Sequence, residues 1–258
     1  MKNRLKIMLG ILLVGSLTGC TGNFEEYNTD PYAPQEPDPT MLLPTMIDAM
    51  MYVQQNDSQM VDQMVGTLGG YFTLSNRWGG QNFDTFNPSA DWNQGPYNTM
   101  FLDIYGNLFE IEELSQGSGH WMAIANLIRA AVMIRVADIY GPIPVSNFGQ
   151  TENPYESQET VYKNLLTDLN AAIVVLKEYA ANAGDARPLQ KVDAVYQGDY
   201  AKWLKLANSV KLRMAMRIRF VEPALARTYA EEAVRDGVMT ASDDGAWLKS
   251  SGSVQVYN

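Results

Sequence analysis

Apolar residues recur at helical spacing along most of this chain beyond residue 40. Behind Ser157, Val161, Leu165, Leu169, Ile173 and Leu176 fall three or four residues apart and line one face. Serine and aspartate cap the free amides of a helix start. A second stripe, Trp203, Ala207, Val210, Met214 and Ile218, follows Asp199. A third, Leu225, Tyr229 and Ala233, follows Pro223, whose fixed φ and missing amide donor suit a first turn, and it stops before Gly237. Residues 119–140 are apolar almost all round, relieved mainly by Asn126, Arg129, Arg135 and Asp138. Such a helix is expected to be central and enclosed by others. Further helices are expected over 41–55, 58–75 and 96–116, and no run alternates as a strand would.

The pattern predicts an all-α fold. Helices starting near 120, 158 and 199 are spaced about forty residues apart, as when helix pairs stack into a solenoid. The strict tetratricopeptide consensus is absent, so the spacing alone is a weak signal.

The first forty residues read differently. Lys2, Arg4 and Lys6 precede an apolar run from Ile7 to Leu17, too short to span a bilayer as a mature helix. This is the pattern of a secretory signal over 1–19. Leu17, Thr18, Gly19 and Cys20 resemble the bacterial lipobox, in which the cysteine is acylated and becomes the new N-terminus. Cys20 is the only cysteine of the chain, so neither an internal disulfide nor a cysteine-based metal site is expected. One acyl chain anchors marginally, whereas the two or three of a lipoprotein cysteine hold stably. Residues 20–40 then form a tether. "NTDPYAPQEPDPT" (28–40) carries four prolines and favours extended backbone. The helical domain is expected over 41–258.

Charge narrows the partners. The whole chain carries a net −10, and loss of residues 1–19, with three basic and no acidic side chains, leaves −13. A body this acidic is repelled by phosphate backbones, so no nucleic-acid partner is expected.

Several stretches together resemble a known family. They are "RVADIYGPIPVSNF" (135–148), "NPYESQETVYKNLLTDLNAAIVVL" (153–176), "YQGDYAKWLKLANSVKLRMAMRI" (196–218), "VEPALARTYAEEAV" (221–234) and "GVMTASDDGAW" (237–247). In this order, behind the lipobox and the tether, they are similar to SusD/RagB outer-membrane lipoproteins of Bacteroidetes-type bacteria. The resemblance implies tetratricopeptide-like helix pairs, an α-solenoid scaffold with long irregular loops. It implies a lipid-anchored body at the cell surface that binds oligosaccharide, or in some members peptide. The ligand passes to a SusC-like TonB-dependent transporter, without catalysis and without a cofactor. Family members are considerably longer, so this chain resembles their N-terminal part and a complete ligand site is not implied.

Candidate chemistry concentrates in "GGYFTLSNRWGGQNFDTFNPSADWNQGPY" (69–97), where aromatic faces stand among amides and carboxylates. Sugars have apolar C–H faces and hydroxyl edges, which such a mixture suits. The ligand-binding candidates are Trp78, Asn82, Phe83, Asp84 and Trp92. For Trp92 and Tyr97, a scaffold role at a helix start competes with ligand contact. A lipoprotein glycoside hydrolase would need two carboxylates about 5 to 9.5 Å apart, with Asp84, Asp91, Glu110, Glu112 and Glu113 as material. His120, the only histidine, is expected to be a capping or surface residue rather than a base. No metal ligand set, phosphate loop or nucleophile motif is found. The basic run from Lys202 to Arg219 reads as a face paired with carboxylates, Asp243 and Asp244 lack a calcium-loop spacing, and the early methionines read as core filler.

Overall fold

The computed structural model describes Tyr27 and residues 38–51, 63–73 and 82–248. The chain divides into two units, 1–37 and 38–258, and the account below concerns the second. Cys20, the tether up to residue 37 and Trp78 lie outside the described residues.

Six α-helices are found among the described residues: α1 (Leu43–Met51), α2 (Ala90–Ser115), α3 (Gly119–Tyr140), α4 (Gln158–Asn182), α5 (Tyr200–Ile218) and α6 (Pro223–Asp236). No strand forms there, only isolated bridges between Asn82 and Asn87 and between Ile143 and Glu156. The starts of α4 and α5 are the capped ones expected. Ser157 Oγ accepts from Thr160 N at 3.1 Å, and Asp199 Oδ1 accepts from Ala201 N and Lys202 N at 3.1 and 3.2 Å. Pro223 opens α6, and Gly237 follows it at φ 98°, a backbone that suits glycine.

Two boundaries differ from expectation. α2 begins at Ala90 rather than 96, because Ser89 Oγ caps Trp92 N at 3.2 Å while Pro96 is absorbed inside the helix and buried. Of the helix expected over 58–75, only residues 63–73 are described, and they form a short π-helical turn, Gln63–Thr67, followed by a turn at Gly69 and Gly70.

α3 is the hub. Twelve of its 22 residues are buried, on every side of the helix, so neighbours must cover all of them. α1, α2, α4 and α5 do so, while α4 packs on α5 and α5 on α6. From α2 to α5 each successive pair is antiparallel, as side-chain bonds at the helix ends show. Tyr140 Oη, ending α3, donates to Asn93 O at the start of α2 at 2.8 Å. Tyr162 Oη, opening α4, donates to Asp138 Oδ1 near the end of α3 at 2.6 Å, and Arg217 Nε, closing α5, donates to Tyr162 Oη at 3.1 Å. This is a tetratricopeptide-like stack of helix pairs. Full burial of each Leu or Ile of the α4 stripe is worth about 1.5–3 kcal/mol, and Leu165, Leu169 and Leu176 are fully buried.

Most polar residues inside the stack are tied, although among the described residues Arg129 Nε and Asn208 Oδ1 have no hydrogen-bond partner. Arg129 of α3 pairs with Asp168 of α4. Lys211, only 2% exposed, donates to Asn170 Oδ1 and Glu232 Oε2 at 2.7 Å each and lies 5.1 Å from the Tyr229 ring centre. It thereby links α4, α5 and α6, and a buried charge is tolerable only with partners of this kind. Two more cations of the basic run meet carboxylates, whereas Lys202 and Arg219 donate to the carbonyls of Asp243 and Met216. Lys205 meets Asp244 Oδ1 at 2.6 Å, and Arg217 meets Asp138 Oδ2 at 2.8 Å.

Asp193 organises the loop into α5. Its Oδ1 accepts from Val195 N and Tyr196 N at 3.0 Å each. Its Oδ2 accepts from Gly198 N at 2.9 Å and from the indole of the fully buried Trp203 at 2.7 Å. Replacement Asp193→Ala leaves these four donors without their acceptor. Each buried unsatisfied donor costs about 1–3 kcal/mol, so urea denaturation of the variant is expected to show a loss of at least about 3 kcal/mol.

Asp244 gives a pH dependence. The Lys205 ammonium beside it, with the amides of Thr240 and Ala241, holds its carboxyl down to about 2. An unfolded aspartate titrates near ~3.9. The contribution is therefore present above about pH 4 and is lost as pH falls towards 2. Melting temperatures of wild type and Asp244→Asn are expected to differ at neutral pH, with wild type higher. The gap closes between about pH 4 and 2.

Candidate functional site

Antiparallel stacking gathers the start of α2, the end of α3, the start of α4, the end of α5 and the start of α6 at one end of the scaffold. The turn just before α2 lies at this end and carries three of the expected ligand residues. Asn82 and Asn87 exchange both backbone hydrogen bonds, at 2.8 and 3.0 Å. Asn82 Oδ1 accepts from Thr85 N and from Thr85 Oγ1 at 2.9 Å each. Asn82 and Phe83 are buried, at 3% and 2% exposure. Their side chains build the turn and seat it on the body, and neither is presented to a ligand.

Asp84 and Trp92 are placed differently. Asp84 is partly exposed and its Oδ2 accepts from Thr73 Oγ1 at 2.8 Å, which ties the turn to segment 71–73. Trp92 is half-buried in the first turn of α2. Sequence reasoning did not single out the most exposed rings. Phe86 stands at the end of the turn with φ 55°, and Tyr71 and Phe72 lie on the neighbouring segment, all three well exposed. Phe72 rests on Gly66, where an added Cβ would come within 2.1 Å of its ring. The signal available for Phe86 was its place before Asn87–Pro88, a turn-forming pair.

Further along the same end, Tyr97 meets Tyr140 edge to face at 5.2 Å and shares a hydrogen bond with the exposed Tyr155. Burial pushes the Tyr140 phenol up to about 12 and that of Tyr97 higher still, so both remain protonated donors. Beyond them a cleft of about 410 Å³ opens between α3, α4, α5 and α6, lined by Asp138, Gln158, Tyr162, Lys163, Arg217 and Glu222 among others. Its charges answer one another: Lys163 bonds Glu159 and Glu222 at 2.6 and 2.7 Å.

The carboxylates considered for hydrolysis are largely kept apart. Glu110, Glu112 and Glu113 lie near the far end of α2, roughly 30 Å along the axis from Asp91. No group of three or more metal-ligating side chains is found among the described residues. His120 sits at the opposite end of the scaffold and is neither a cap nor a surface residue. It is half-buried, with Nδ1 2.6 Å from Tyr200 Oη and its ring stacked 4.1 Å from that of Tyr179. Burial pushes its pKa down, which favours the neutral imidazole in this lock between α3, α4 and α5. Asp244, with its oxygens committed to Lys205, Thr240 and Ala241, serves as a loop cap.

Residues 26–258 match the SusD-like family model, described as SusD and RagB outer membrane lipoprotein. This chain belongs to the SusD-like family. Among solved structures, a SusD-like protein from Bacteroides thetaiotaomicron is 37% identical with a TM-score of 0.76, over 80% of this chain and 43% of the other. A SusD homologue from Bacteroides ovatus is 38% identical with a TM-score of 0.74, over 82% and 44%. A chitin-binding SusD homologue from Flavobacterium johnsoniae is 29% identical with a TM-score of 0.72, over 80% and 44%. This SusD-like chain therefore spans less than half the length of these solved relatives. No curated protein matches it. Its family is one of outer-membrane lipoproteins, and no helix among the described residues is long and apolar enough to cross a membrane.

Proposed function

We propose that this protein captures oligosaccharide at the outer-membrane surface and passes it to a SusC-like TonB-dependent transporter. The observation that carries the reading is the exposed aromatic group Tyr71, Phe72 and Phe86, held beside Asp84 at the end of the scaffold where α2 begins. Flat rings supply contact area for the apolar faces of sugars, and the neighbouring amides and carboxylate supply hydrogen bonds to their edges. Trp78 and Trp92, from the same stretch of sequence, are proposed to extend this surface. The chitin-binding relative from Flavobacterium johnsoniae supports a glycan as ligand. The protein acts by binding, not by catalysis, and needs no cofactor.

The test uses full-length protein in detergent with hexasaccharides of chitin, starch and xylan, and oligopeptides for comparison. At least one sugar is expected to bind in calorimetry and to raise the melting temperature. Stabilisation by oligopeptides alone would overturn the glycan reading in favour of peptide capture. Release of reducing ends from any of these sugars would make the protein a hydrolase.

The anchor is the thiol of Cys20, acylated after removal of residues 1–19, with residues 20–40 as the tether of the helical domain. Metabolic labelling with an alkyne fatty acid is expected to mark the wild type and leave Cys20→Ala unmarked. An unlabelled wild-type protein would remove the basis for a surface-tethered role.

A further inference from the structure

Residues 200–221, which span α5 and the turn after it, hold six cations and no acidic side chain, although the chain as a whole is acidic. Four of the six are committed inside the protein: Lys202 to the carbonyl of Asp243, Lys205 to Asp244, Lys211 to Glu232 and Arg217 to Asp138. Arg213 and Arg219 are exposed and meet no carboxylate among the described residues. Arg219 instead donates to Met216 O at 3.1 Å, and its guanidinium lies over the Phe220 ring, 4.3 Å from the centre.

The same corner, where α5 turns into α6, displays apolar side chains. Phe220 is 80% exposed, Val221 77% and Met216 45%. Single exposed apolar residues are ordinary, but here three stand together with an arginine on either side. The acids of the neighbouring cleft do not cancel these arginines. Glu159 and Glu222 are held by Lys163, and Asp138 by Arg217.

We infer that the α5–α6 corner seats on an anionic lipid surface, with Phe220 and Val221 entering the headgroup boundary and Arg213 and Arg219 meeting lipid phosphates. Size and charge select this occupant. A stable protein interface takes about 20–30 residues a side, and three apolar side chains with two arginines fall well short of that. An apolar tip with basic neighbours suits a membrane interface, where arginine keeps its head in water and its stem along apolar surface. The inference rests on the Cys20 anchor proposed above and adds a contact made by the folded body. An anchored body is already beside the bilayer, so a weak second contact is strengthened by its high effective concentration. Negative charge elsewhere on the body is screened beyond about 10 Å. Seated this way, the end that carries the 82–87 turn faces the membrane.

Acylation of Cys20 leaves no free thiol, so Val221→Cys can be labelled alone with a polarity-sensitive nitrobenzoxadiazole maleimide. Labelled, acylated protein is placed in vesicles of phosphatidylcholine mixed with phosphatidylglycerol, or of phosphatidylcholine alone, each with doxyl-labelled lipid as quencher. The label at 221 is expected to be bright and quenched in the mixed vesicles. A label at Asn182→Cys, exposed at the far end of α4, is expected to be dim and unquenched. Arg213→Gln with Arg219→Gln, added to Val221→Cys, is expected to lower the ratio of seated to free protein roughly tenfold or more. Phe220→Ser is expected to lower it as well. A label at 221 that lipid does not quench overturns the inference, and a bright unquenched one assigns the corner to a protein partner or a second copy. Quenching that is equal in phosphatidylcholine alone, or unchanged by the two arginine replacements, also overturns it. Wild-type protein that takes the label has a free Cys20 thiol, which overturns the anchor reading and this inference with it.

Discussion

A helix with almost no polar side cannot stand at a surface, and α3 imposes that condition on the whole fold. Met122, Ile124, Leu127, Ile128, Val132, Met133 and Val136 point in every direction around its axis and all are buried. One partner helix could cover only a single stripe. α1, α2, α4 and α5 are therefore drawn around α3, and α6 joins through α5. The few polar residues of α3 become bonds instead of a wet face: Arg129 to Asp168, and Asp138 to both Tyr162 and Arg217.

Antiparallel packing around that hub has a second effect. Residues distant in sequence meet wherever helix ends come together, and the two ends differ in chemistry. At one, His120, Tyr179 and Tyr200 form a closed aromatic lock. At the other, ion pairs and phenols secure the helices beneath a turn whose Phe86 is left uncovered. The scaffold is rigid where it has to hold position, and its exposed rings are carried on a short loop braced against it. That division suits a binding protein, in which loops contact the ligand and helices keep the loops in place.

Much of this was legible in the chain itself. The starts of α4, α5 and α6 follow from Ser157, Asp199 and Pro223, because capping and φ restriction act within a few residues. The start of α2 was missed, because Pro96 reads locally as a first turn while Ser89 provides a cap seven residues before that expected start. The candidate site was legible as a region but not as residues. Asn82, Phe83, Asp84 and Phe86 share one composition and one turn, yet the fold buries the first two and displays the last.

Periodicity, capping types and the order of the family's stretches are local properties, so the chain alone was enough for an all-helical stack, a buried α3 and membership of the SusD-like family. Which ring of the turn faces inward depends on how a four-residue loop closes and on the body it closes against. The same holds for Lys211, which reads as one more cation in a basic run and becomes buried because α4, α5 and α6 surround it with Asn170, Glu232 and Tyr229. Contacts between residues far apart in sequence settle both, and spacing along a single segment carries no record of them.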